Sequence, residues 1–200
     1  MLEIDLPTHM TRAAPSAWKE VADITAEAFS EDPVNRWIFG EFKAIRACFR
    51  VLARDIYTRR GICHLIPGKG AAMWIDASEM AALGTATQIA LAGGVIRHAG
   101  FAAIKRALTA GEIMGRHHPE APHLYLFTIG VTKAARGQGL GHGLIQPVLE
   151  ACDLDGKAIY LENSNPDNFG FYSAHGFEHV EHFKAGEGGP PLQAMWRDPR

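Results

Sequence analysis

The run Arg136-Gly137-Gln138-Gly139-Leu140-Gly141 follows the apolar stretch His123 to Val131 and leads straight into the helical pattern Leu140 to Cys152. An extended segment that ends in a glycine-rich turn and passes into a helix collects free backbone N–H groups at the helix N-terminus, and such a nest seats an anion. Glycine is needed there because a side chain would hold the anion off the amides, and because some of these positions call for positive φ. Arg136 adds a fixed positive charge. The spacing narrows the choice of anion. In Gly137-x-Gly139-x-Gly141 the last glycine of the dinucleotide fingerprint G-x-G-x-x-G is replaced by His142 or Leu144, and no G-x-x-x-x-G-K-[ST] run occurs.

A second motif lies downstream, where Leu161-Glu162-Asn163-Ser164-Asn165-Pro166-Asp167-Asn168 runs on to Phe171-Tyr172-Ser173-Ala174-His175-Gly176-Phe177. Ile159 to Glu162 reads as a short strand, Asn165 as an N-cap with Pro166 in the first helical position, and Gly176 as the helix end. Asn165, Asn168, Phe169 and Tyr172 then fall on one face at helical spacing. The two motifs together, R-x-x-G-x-G after a strand and then an asparagine followed seven residues later by Tyr-x-x-x-Gly-Phe, resemble the paired signatures of the GCN5-related N-acetyltransferase (GNAT) family. The first of these is the family's acyl-coenzyme A pyrophosphate loop. The resemblance is strong over residues 123 to 183 and holds in outline elsewhere. Within the family the chain looks closest to the puromycin N-acetyltransferase-like branch, whose strand-to-helix segment also reads Leu-Glu-x-Ser-x-Pro-x-Asn.

The rest of the composition agrees with a compact enzyme. Two hundred residues, 47% apolar and 21% charged, suit one globular domain with a substantial core. The net charge of −2 has no basic run behind it, which argues against a nucleic-acid partner and for a small substrate. Cys48, Cys63 and Cys152 stand far apart without a C-x-x-C pair, so neither a disulfide framework nor a zinc site is indicated, and buried thiols in a reducing cytosol are expected. The segment Met1 to Asp5 is acidic and lacks an apolar core, and no run approaches eighteen apolar residues. A cytoplasmic protein without a membrane partner is the expectation.

Periodicity predicts a helix with Ser16 as N-cap and Trp18, Val21, Ala22, Ile24, Thr25, Ala28 and Phe29 inward, stopped by Ser30-Glu31-Asp32-Pro33. A second helix is predicted from Lys43 to Arg59. Ile62 to Ile66 and Ala71 to Ile75, separated by Pro67-Gly68-Lys69-Gly70, read as a β-hairpin. Residues 78 to 114, rich in Ala, Gly and long aliphatics, read as two or three helices broken at Gly93-Gly94, Gly100 and Gly111. After them come a strand (His123 to Val131), a helix (Leu140 to Cys152) kinked at Pro147, a strand (Ala158 to Glu162), a helix (Pro166 to His175) and strands at Phe177 to Phe183 and Leu192 to Trp196.

The resemblance implies a three-layer α/β/α fold of the α+β class, with a mixed, largely antiparallel sheet splayed between its fourth and fifth strands. It implies that residues 1–200 form a single domain in which about 78–118 are a helical insertion contributing to the acceptor pocket or a lid. It implies acetyl-CoA as co-substrate. The pantetheine would pair with Ile129, Gly130 and Val131, the pyrophosphate would sit on Arg136, Gly137, Gln138, Gly139, Leu140 and Gly141, and Asn165, Asn168 and Phe169 would flank it. Glu31, Asp32 and Trp37 match the acceptor-binding region by position, and His118 falls beside it. A monomer or homodimer acting on a small-molecule amine is expected.

Acetyl transfer to an amine requires the thioester held beside the acceptor, a proton taken from the ammonium and a proton given to the leaving thiolate. Tyr172 matches the family's general-acid tyrosine. The base is less plain. Many relatives carry a glutamate on the fourth strand, yet Leu124-Tyr125-Leu126-Phe127-Thr128-Ile129 has no carboxylate. Glu162 at the end of the next strand, the histidines His117, His118 and His123, or a chain of waters must serve, and a water-borne proton with no single side chain in control is the expectation. Two classes of function stay open: an acetyltransferase for a small amine, and a non-catalytic acyl-CoA-binding module whose missing carboxylate marks lost chemistry. Tyr172 speaks for the enzyme, because a binding module needs no phenol at the leaving sulfur.

Overall fold

In the computed structural model, which describes residues 2–80 and 83–200, the chain opens with a two-residue strand β1 (Thr11–Arg12) and helices α1 (Trp18–Ala28), α2 (Pro33–Phe39) and α3 (Phe42–Leu52). A π turn (Ala53–Tyr57) carries α3 into a last helical turn, α4 (Thr58–Arg60). The hairpin β2 (Ile62–Ile66) and β3 (Gly70–Asp76) precedes the long α5 (Thr85–His117). Then come β4 (His123–Val131), α6 (Leu140–Asp155), β5 (Ala158–Asn163), α7 (Phe169–Ala174), β6 (Glu178–Lys184) and β7 (Pro191–Arg197). Met1, Ala81 and Ala82, the last two inside the stretch expected to be helical, lie outside the described residues.

The strands form one seven-stranded sheet in the order β1-β2-β3-β4-β5-β7-β6. β4 and β5 run parallel; the other neighbours are antiparallel. The alternation of side chains along a strand explains why helices cover both faces. On β3, Ala71, Met73 and Ile75 enter a core with α1, α2, α3 and α5, while Ala72 and Trp74 enter a second core with α6 and α7. The three layers and the largely antiparallel mixed sheet are those the sequence implies.

Two irregularities on β4 open space beside it. β4 pairs with β3 along most of its length but with β5 only at His123, Leu124 and Tyr125, so the two strands part beyond that point. In the register with β3, Met73 faces Thr128 and Trp74 faces Leu126, which leaves Phe127 as the extra residue of a β-bulge.

Several local expectations need correction. Ser16 does not cap α1: it lies within a 3-10 turn (Pro15–Ala17), and Ala17 caps the helix without a side-chain bond. Ser30 to Pro33 ends one helix and also starts another, because the Asp32 carboxylate accepts the Asn35 N–H at 2.8 Å and Pro33 occupies the first position of α2. Residues 85–117 hold two helical segments that meet at a break at Gly100 (φ 77°, ψ −179°), as expected there, whereas Gly93, Gly94 and Gly111 lie within helix. A Cβ on Gly94 would stand 3.2 Å from that of Ala47, so this glycine lets α5 approach α3 closely, and packing outweighs the weak helix propensity. α6 runs beyond Cys152 to Asp155, with Pro147 inside it.

Candidate active site

The glycine loop leaves backbone amides free at the start of a helix. Gly137 and Gly139 have φ of 76° and 74°, a conformation that costs glycine nothing. Gly139 is the N-cap of α6 and supplies no side-chain acceptor to the first-turn amides, which leaves them for a ligand. Gln138 and Arg136 are exposed beside them, and Leu140 opens the helix. At Gly141 a Cβ would come within 3.4 Å of the Phe171 ring, so glycine there lets α7 sit against α6. Upstream, Ile129, Gly130 and Val131 pair with Ala72, Ala71 and Gly70 on one edge, while their other edge faces the gap toward β5. A nest of amides, a nearby guanidinium and an unpaired strand edge together fit a diphosphate-bearing chain with an amide-rich arm, which is the form of acyl-CoA.

Beyond the parted strands lies a cavity of about 800 Å³. α2, α3 and α5 give it apolar walls that include Ile38, Phe49, Leu52, Val95 and Ile104. The bulged Phe127 forms part of the lining, its ring stacked on Tyr57 at 4.5 Å. Polar groups are fewer: Thr128 and Tyr125 from β4, Glu162 from β5, Ser164 from the following loop and Tyr172 from α7 lie with Asn35, Gln88 and Glu112 among largely apolar side chains. The structure thus brings Tyr172 and Glu162 into one chamber. Burial, and then the Asp32 carboxylate, push the Tyr172 phenol above its ordinary range, so it keeps its proton at neutral pH.

Glu162 is deeply held. Its side chain is 2% exposed. Oε2 accepts the Tyr125 hydroxyl at 2.7 Å, and Oε1 stands 3.7 Å from Nδ1 of His118. Burial, followed by the Glu162 charge, pushes the Tyr125 phenol well up, so it remains a donor to that carboxylate. His118 in turn meets His123, Nε2 to Nε2, at 3.1 Å.

The other expected residues divide. Asp32 is buried, accepts from Asn35 and from the Ser164 hydroxyl, and so ties α2 to the cavity wall. Glu31 is exposed and pairs with Lys133 at 3.6 Å on the outer surface. Trp37 packs against Gly186 and Gly189 in the β6–β7 turn, apart from the lining. Asn165 accepts the Asp167 N–H at 3.1 Å and starts the turn into α7, while Asn168 and Phe169 are exposed at the N-terminal end of that helix. They therefore do not share the buried face of Tyr172. Ser164 stands in the Leu-Glu-x-Ser-x-Pro-x-Asn segment without a role assigned to it there, and Asn35 carries no motif; the loop's closure onto Asp32 brings both to the cavity.

The family model for the acetyltransferase (GNAT) family matches residues 74–177, and the chain belongs to that family. An uncharacterized N-acetyltransferase of Schizosaccharomyces pombe is 34% identical over 77 residues, which are 38% of this chain and 31% of that protein. The chain thus matches less than a third of that relative's length. Among solved structures, histone acetyltransferase HPA2 and related acetyltransferase from Corynebacterium glutamicum aligns with a TM-score of 0.70 and 23% identity over 96% of both chains. The insect putative arylalkylamine N-acetyltransferase 7 from the yellow fever mosquito aligns at 0.63 and 11% over 100% of this chain and 98% of its own. The C-terminal condensation domain of Ebony in complex with beta-alanyl-dopamine aligns at 0.65 and 14% over 99% and 100%. These likenesses establish the GNAT fold. Among the described residues, no helix is long and apolar enough to cross a membrane.

Proposed function

We propose that the protein transfers the acetyl group of acetyl-CoA to the primary amine of a small, largely apolar molecule, by direct attack with both substrates bound. The observation that carries this reading is the cavity itself: apolar helical walls on one side, and a buried carboxylate and phenol beside the open edge of β4 on the other. The glycine loop and the first turn of α6 would hold the diphosphate, with Arg136 beside them, and β4 from Ile129 to Val131 would hold the pantetheine arm. The walls bind the acceptor's body, since each apolar surface withdrawn from water favours binding by about 25 cal/mol per Å². Glu162 attracts the ammonium and takes a proton from it; Tyr172 keeps a proton to give to the departing sulfur. A solved structure of the same fold in complex with beta-alanyl-dopamine, and another named for arylalkylamines, are compatible with such an acceptor.

The test is a panel of amines offered to the purified protein with acetyl-CoA, read by release of free thiol and by mass of the product. Aromatic and long-chain primary amines should be acetylated with kcat/KM well above that of polar polyamines. Thiol release that no amine in the panel raises above the rate of water alone would overturn the reading.

A further inference from the structure

Acylating an ammonium, R–NH3⁺ + CH3CO–S–CoA → R–NH–COCH3 + HS–CoA + H⁺, frees two protons from nitrogen. One goes to sulfur; the other has to leave a largely apolar chamber. Glu162 can accept it, but its side chain is only 2% exposed and has little direct contact with bulk water. The groups around Glu162 are Tyr57, Tyr125 and Tyr160 together with His118 and His123. Burial, then the Glu162 charge, holds all three phenols above their ordinary range, so they stay protonated near neutral pH. Asp76 adds its charge at His123, and Glu181 at Tyr160.

The histidine tautomers follow from their partners. Nδ1 of His123 lies 2.7 Å from the Ala121 carbonyl, which only accepts, so Nδ1 carries a hydrogen. Burial makes His123 a weaker base than usual and keeps its ring neutral, which leaves a lone pair on Nε2. The His118 Nε2, 3.1 Å away, must therefore donate. In the neutral ring of His118 the basic nitrogen is then Nδ1, the one that faces Glu162 Oε1 at 3.7 Å. The His118 ring is fixed edge-on against Tyr125 and Tyr160, and its side chain is 18% exposed, enough to meet water.

Building on the acetyl-transfer reading, we infer that His118 is the proton exit behind Glu162 and that His123 is the positioning residue that holds it in the required tautomer. Glu162 takes one proton from the ammonium and, as the 3.7 Å gap between Oε1 and His118 Nδ1 shortens to hydrogen-bond distance, passes one to the lone pair on Nδ1. The imidazolium then releases one proton to solvent, and both side chains return to their starting charge.

Two measurements test this. In kinetics with a panel amine, kcat of the wild type should fall on the acid side along a single limb. His118→Asn places an acceptor near Nδ1 that cannot hold a proton; it should remove the limb and cost about 10²-fold in kcat at pH 7, with the KM for acetyl-CoA unchanged. His123→Phe should cost about tenfold, and His123→Gln, which can still accept from His118, should recover the limb. Nitrogen NMR of the imidazoles needs no turnover: His118 should carry its hydrogen on Nε2 and His123 on Nδ1. Unchanged kcat and limb in a folded His118→Asn protein, or His118 found with its hydrogen on Nδ1, overturns the relay alone. The expected tautomers in a wild-type protein that acetylates no amine overturn the acetyl-transfer reading instead, and the relay's role falls with it.

Discussion

Gly130 stands where α1 crosses β4, and a Cβ built on it would lie 2.4 Å from that of Ala28. Gly130→Ala should therefore force helix and strand apart and destabilise the fold by about 1–3 kcal/mol, as overpacking does, which chemical denaturation will read. Gly139 has φ of 74° and no steric neighbour, so its reason lies in conformation and in what approaches the amides. Gly139→Asp should abolish CoA binding in calorimetry, since it sets a negative charge where the cradle expects one. His64 offers a pH signature. Its ring nitrogens are buried without partners, and burial, with the charge of Arg12 opposite, lowers its pKa to about 4. The unfolded chain protonates this residue near 6.5, so between about 6.5 and about 4 the unfolded state binds more protons and stability falls as pH falls. The denaturant midpoint should drop across that window, and less in His64→Phe. The glycine loop was readable from the sequence because three glycines, one arginine and a helix start are local to one another. The setting of Glu162 was not: Tyr125 and His118 belong to other elements, and only the sheet register brings them to it.

α5 carries a different lesson. Its glycines at 93, 94 and 111 look like breaks in a propensity reading, but packing against α3 and α2 holds them helical, and the chain bends only at Gly100. At φ 77° and ψ −179° a non-glycine residue is strained by about 1–3 kcal/mol, and no neighbour lies within 4 Å to add a steric cost. Gly100→Ala should shift the two halves of α5 against each other. Because Val95 and Ile104 line the cavity on either side of the bend, the KM for the acceptor should rise severalfold while CoA affinity in calorimetry stays the same. The hairpin β2–β3 and strand β4 were legible almost to the residue, since turn residues bound them sharply. α2 was hidden because aspartate followed by proline marks both the end of one helix and the start of the next.

For the molecule as a whole, a ligand that binds only the folded state adds stability by mass action, about 2.7 kcal/mol at a hundred times its Kd. Saturating CoA should therefore raise the melting temperature of the wild type but not of Gly139→Asp, as scanning calorimetry will show. The order of elements and the two signatures predicted a sheet that opens between its fourth and fifth strands; the extent of the opening was beyond the sequence, because it depends on where pairing stops. It stops after three residue pairs. Four strands on one side and three on the other thus share a seam only three rungs long, and beyond it the edge of β4 has the exchange behaviour of a sheet margin in the middle of a sheet. A guest lying in that gap would supply the missing rungs. Amide hydrogens at the open edge of β4 should then slow markedly in exchange when CoA binds, while those of β2, already paired with β3, keep their rate, so that the ligand acts on the fold as an eighth, removable strand.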